Sequence, residues 1–87
     1  KYTVSDYVNV IHDHCPDWME LHVLEIDRAR AWMALDRVER TVSVSRRKRL
    51  RTAIDAVYNW GVLSGRIKGL QGLPTEGFKS LHKEEEK

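Results

Sequence analysis

Five of the six residues from Arg46 to Arg51 are basic: Arg46, Arg47, Lys48, Arg49 and Arg51, interrupted by Leu50. Ser45 stands just before them as the expected N-cap of a helix. A helix N-terminus already carries partial positive charge and favours acids in its first turn. Cations placed there cost stability unless an anion comes to the site. Nucleic-acid phosphate is the obvious candidate, because it also meets the free backbone N–H groups. A solvated basic turn is the bland alternative, and the unfavourable position argues against it.

Other basic residues extend this chemistry. Arg30, Arg37 and Arg40 fall on one side of the preceding helix, at separations of seven and three residues. Together with the run at Arg46 they make two helical contributions to one positive surface. Arg66 and Lys68 lie past the far end of the long helix, within reach of another phosphate. Thr52 and Asn59 add neutral hydrogen-bonding groups suited to phosphate or base edges. Asp55, on the same outward face, counts against continuous DNA contact.

The whole-chain charge of +2 conceals this asymmetry. Residues 1–27 carry one Lys against six acids, a balance of −5. Residues 28–68 carry eleven Lys and Arg against three acids, a balance of +8. Residues 69–87 return to −1, with three Lys against four Glu. A map polarised in this way points to a polyanion partner for the middle of the chain.

Competing chemistries find less support. His12, His14, Cys15 and His22 are the only metal-like cluster, and only His12 and Cys15 share a helical face, so no metal or other cofactor is expected. Asp13, Asp17, Glu20, Glu25 and Asp27 have no spacing that fixes a pair beside a nucleophile, and they read as a solvated acidic surface. Tyr2, Tyr7 and Tyr58 lack a companion motif for covalent catalysis, and Tyr58 flanks a core stripe. Trp18, Trp32 and Trp60 sit among apolar residues at helical spacing, which favours core or core-edge placement over base stacking. Gly69 and Gly72 have no preceding strand and mark a loop rather than a dinucleotide site. An enzyme acting alone is not expected.

The elements that position these residues are helical throughout, since no two-residue alternation occurs. Thr3 and Asp6 form a capping box for a helix carrying Val4, Tyr7, Val8, Ile11 and Cys15, which Pro16 ends. Trp18, Leu21 and Leu24 form a short helix or lead directly into the next one. Asp27 caps a helix whose buried stripe is Ala31, Leu35, Val38 and Val42, and residues 41–44 read as a break. The helix after Ser45 buries Leu50, Ala53, Ile54 and Val57 and stops at Gly65. On its wheel Lys48, Thr52, Asp55 and Asn59 point outward, Arg49 and Arg51 flank the core face, and Arg46 falls on the core side at the very end. Pro74 opens a short terminal helix with Phe78 and Leu81. The fold class is all-α, a small bundle of about four helices.

Eighty-seven residues allow one small domain, and 41% hydrophobic content suffices for one modest core. A single Cys excludes an internal disulfide and fits a reducing compartment. No stretch is long or apolar enough to cross a membrane, no signal peptide is recognisable, and no membrane partner is expected. The chain opens on Lys1 rather than Met, so a fragment of a longer protein is expected.

From Ser45 to Lys83 the chain resembles the core-binding domain of tyrosine recombinases, the phage-integrase family. The residues that carry the likeness are Ser45, Arg49, Ala53, Ile54, Val57, Tyr58, Trp60 and Gly61, followed by Gly65, Ile67, Pro74, Gly77 and Lys79. Gly61 replaces the family's usual Ala, and Leu73 replaces the usual Asn before Pro74. The resemblance covers under half the chain. It implies a SAM-like helical module over residues 1–82 that clamps one face of a recombination core site in double-stranded DNA. Residues 83–87 would then begin the linker to a catalytic domain carrying the family's Arg, His-x-x-Arg and Tyr, for which nothing in this chain fits. Its partners would be that domain of the same parent chain and other recombinase protomers on DNA, in the cytoplasm and nucleoid of a bacterial host.

On this reading the DNA-facing residues are Arg46, Arg47, Lys48, Arg49, Arg51 and Thr52, then Arg30, Arg37 and Arg40, then Arg66 and Lys68. A helical protein-interaction or adaptor domain of a phage or mobile-element regulator is the alternative. An independent single-strand or RNA binder would require exposed tryptophans.

Overall fold

The computed structural model describes residues 3–21, 23–70 and 72–78. Three α-helices follow one another: α1 (Val4–His14), α2 (Arg28–Thr41) and α3 (Val44–Leu63). No strand occurs among the described residues.

Local signals set the boundaries of α1 and α2 as the sequence leads one to expect. The Thr3 hydroxyl accepts from the Asp6 N–H at 3.3 Å while the Asp6 carboxylate accepts from the Thr3 N–H at 2.9 Å, a reciprocal capping box. Pro16 cannot continue α1 and instead opens a 3-10 turn (Pro16–Glu20). The Asp27 carboxylate accepts from the Arg30 N–H at 2.9 Å and caps α2.

Of the about four helices expected, three α-helices are present among the described residues. Between Pro16 and Asp27 the chain makes two 3-10 turns, Pro16–Glu20 and Val23–Glu25, held by tight bonds such as Trp18 N–H to the Cys15 carbonyl at 3.0 Å. After Pro74 there is no terminal helix up to Phe78. Glu76 and Phe78 each close a turn onto the carbonyl three residues back, and Gly77 adopts φ +80°, which no helix can continue. Leu81 and the segment from Lys83 lie outside the described residues.

The start of α3 is also corrected. Its N-cap is Ser43, not Ser45: the Ser43 hydroxyl accepts from the Arg46 N–H at 3.0 Å. Val42 and Ser43 both donate to the Val38 carbonyl, so α2 closes fully before Ser43 turns extended. Two residues therefore join the helices, and Val42 is an exposed C-cap rather than part of the α2 stripe.

Helix α3 is the central element, with α1 and α2 both packed on it. Leu35 and Ala31 of α2 meet Leu50, Ala53 and Ile54 of α3 in the core, all fully buried. Burying each Leu or Ile contributes roughly 1.5–3 kcal/mol. Cys15, Trp18 and, from the C-terminal segment, Ile67 and Phe78 complete the buried cluster.

At its C-terminus α3 ends in a Schellman arrangement. The Arg66 N–H reaches the Gly61 carbonyl at 2.8 Å, the Gly65 N–H reaches Val62 at 3.1 Å, and Gly65 sits at φ +80°. The chain then folds Ile67 back against Gly61, where a Cβ would lie 2.6 Å from Ile67 Cγ1. This close approach accounts for a glycine at position 61.

Candidate nucleic-acid interface

The basic run divides into two chemically different sets once α3 is formed. Arg46, Lys48 and Arg49 are exposed in its first two turns, and the first turn contains no acid. Arg47 is buried, at 6% exposure. Its Nε lies 2.9 Å from Glu39 Oε1, and its guanidinium carbon is 5.5 Å from the centre of the Phe78 ring. Arg47 thus belongs to the interior, and its assignment to a DNA-facing surface is corrected on that ground.

The buried line of α3 explains the difference. It runs Arg47, Leu50, Ile54, Tyr58 and Gly61, a three- and four-residue progression centred nearer Arg47 than the wheel through Leu50, Ala53, Ile54 and Val57 implied. Arg46, expected on the core side, is exposed, and Val57 is half-buried at the edge.

Thr52 and Asn59 are exposed on the same side of α3 as Lys48, Thr52 one turn away and Asn59 three turns away. Arg51 is half-buried and lies 4.0 Å from Asp55. Asp55 also accepts a hydrogen bond from the buried Thr75 hydroxyl. The carboxylate that seemed to oppose DNA contact is therefore tied to the C-terminal loop and to Arg51. A small cleft between α1 and α3, lined by Asp6, Tyr7, Val10, Arg49 and Thr52, borders the basic turn on its other side.

Arg30, Arg37 and Arg40 do line one groove, of about 770 Å³, over the outer face of α2. Their charges are largely engaged within it. Arg37 donates to the His14 carbonyl at the end of α1 and approaches Cys15 Sγ at 3.8 Å. Arg40 pairs with Asp36 at 2.9 Å. Asp17 and Asp27 share the groove, and Met33 stands 72% exposed in it. Arg40 is nevertheless close in the chain to the basic turn, since only Val42 and Ser43 separate α2 from α3. Arg30 lies about 15 Å further down α2 by the helical rise.

No protein-family model, curated protein or solved structure matches the chain. The residues themselves carry the functional reading.

The remaining sequence candidates take ordinary places. Burial raises the Cys15 thiol pKa, an effect the nearby Arg37 partly offsets. Tyr58 is buried, and desolvation pushes its hydroxyl up to about 12. His12 is exposed and His14 half-buried, while His22 lies outside the described residues. Among the described residues no three His, Cys, Asp or Glu side chains are grouped so as to hold a metal ion, and no helix is long and apolar enough to cross a membrane. Trp18 is buried and Trp32 half-buried, against Phe78 at 5.7 Å between ring centres. Trp60, expected in the core or at its edge, is 41% exposed.

Arg66 and Lys68 are exposed beyond the end of α3. Arg66 lies over the Trp60 ring, 5.2 Å from its centre. The sequence reading missed the Glu39–Arg47 pair and the exposure of Trp60. A spacing of eight across a two-residue helix connection was the only available sign of the pair.

Proposed function

We propose that this chain is a double-stranded DNA-binding module, contacting phosphate through the exposed first turns of α3. The observation that carries the reading is the set Arg46, Lys48 and Arg49, exposed in a helix start that has no acid in its first turn. Anions are stabilised at such a terminus by the dipole as well as by the side chains. Thr52 and Asn59 on the outward face add groups for phosphate or base edges.

The module is SAM-like and non-catalytic, the core-binding part of a tyrosine recombinase of the phage-integrase type. In this account it clamps the core site together with a catalytic domain supplied elsewhere in the parent protein and with other protomers on the DNA. It works in the bacterial cytoplasm, on the nucleoid. Arg40, next to the basic turn, serves as a fourth, outlying phosphate contact, and Arg37 chiefly anchors α1.

A gel-shift titration with a short duplex at low salt tests this. The expected result is a shift at micromolar protein that R46Q/K48Q moves to higher protein concentration. No shift at micromolar protein overturns the reading.

The second reading, a helical protein-interaction domain, is favoured by the α2 groove. There three arginines and three aspartates surround the exposed Met33. Mixed charge around an apolar side chain suits a protein surface better than a phosphate backbone.

A further inference from the structure

The last turn of α3 exposes large apolar side chains. Trp60 is 41% exposed and Leu63 is 88% exposed, and their spacing of three places them on one side of the helix. The Schellman turn then folds the chain back so that the Arg66 guanidinium lies 5.2 Å from the centre of the Trp60 ring. Arg66 is itself exposed, and so is Lys68. No acid occurs in the sequence between Asp55 and Glu76. This tip of the molecule is thus an indole, a guanidinium over it, an aliphatic rim and a second cation.

We infer that this tip is a stacking site for an unpaired nucleobase, with Lys68 on its phosphate. Flat π-systems stack on aromatic rings and on guanidinium planes alike, and nucleic acid supplies the negative charge that the two cations require. An intact duplex hides its base faces, so the ligand is a single strand, a flipped base or a frayed end. A lipid surface would meet only one helical turn of apolar side chains, a small footprint beside the broad apolar face of membrane-lying helices.

The inference rests on the nucleic-acid reading above but uses the opposite end of α3. Lys48 and Trp60 are separated by twelve residues, about 18 Å along the helix. The two sites therefore fail separately.

Intrinsic tryptophan fluorescence of the full chain tests it, titrated with a single-stranded oligodeoxynucleotide, with a duplex carrying one unpaired base, with heparin and with phosphatidylserine vesicles. The single strand and the bulged duplex should quench the emission, whereas heparin, a polyanion without bases, should not. W60L, checked for an unchanged thermal midpoint, should abolish the quenching, and R66Q should weaken single-strand binding about ten-fold. R46Q/K48Q should keep the quenching while binding intact duplex more weakly. Quenching that survives W60L, or equal quenching by heparin, overturns the site. So does an emission change produced by vesicles alone or by protein concentration alone, which would assign the patch to a membrane or to a second copy.

Discussion

Arg47 Nε and Glu39 Oε1 lie 2.9 Å apart inside the molecule, with only 8% and 2% of their side chains exposed. The pair pins the start of α3 to the last turns of α2, directly across the two-residue connection. Phe78 covers the guanidinium from the C-terminal segment. One basic residue of the run therefore holds the turn that presents the others.

Removing half of this pair should be costly. R47Q leaves the Glu39 carboxylate buried without its guanidinium, and a loss of about 3–5 kcal/mol is expected. K48Q, one residue along and exposed, should change stability by less than about 0.5 kcal/mol. Urea unfolding followed by circular dichroism distinguishes the two. Equal effects would contradict the interior placement of Arg47.

Gly61 and Ile67 give an independent packing test. G61A gains up to about 1 kcal/mol of helix propensity but forces Ile67 aside, at a cost of roughly 1–3 kcal/mol. The net effect should be destabilising. Adding I67A to G61A should make the Ala substitution neutral or favourable, because the obstructing side chain is gone. A thermal-melt cycle over the four proteins measures this coupling, and strict additivity would show that the two residues do not meet.

Tyr58 makes stability depend on alkaline pH. Its hydroxyl titrates at about 12 in the folded protein against an ordinary value of 10. The folded state therefore holds the proton longer, so this contribution is intact below pH 10 and falls as pH rises from 10 to 12. The loss is on the order of 2–3 kcal/mol. Denaturation midpoints across that range should decline more steeply in the native chain than in Y58F, and parallel slopes would contradict the burial.

Much of this architecture was legible in short-range chemistry. The Thr3–Asp6 box, the Asp27 cap, the stop at Pro16 and the Gly65 terminus each depend on residues within one turn. Leu50, Ala53 and Ile54 announced the buried face by spacing alone. What the sequence could not carry was long-range. Ser43 and Ser45 are equally good caps locally, and completion of α2 at Val38 decides between them. Arg47 shares the spacing of the core, but its charge concealed this until Glu39 was brought beside it. Trp60 has the neighbours of a core residue, but it lies roughly 120° around α3 from the buried line through Arg47, Ile54 and Tyr58.

The measurement closest to the central claim is the salt dependence of duplex binding. With three or four phosphates neutralised, log K against log salt should slope by about −3. The four or five contacts counted from sequence alone would give about −4, and the interior position of Arg47 accounts for the reduction. R46Q/K48Q should flatten the slope to about −1 with the thermal midpoint unchanged. A slope near zero in the native chain, or an unaltered slope in the double variant, would contradict phosphate recognition at the start of α3.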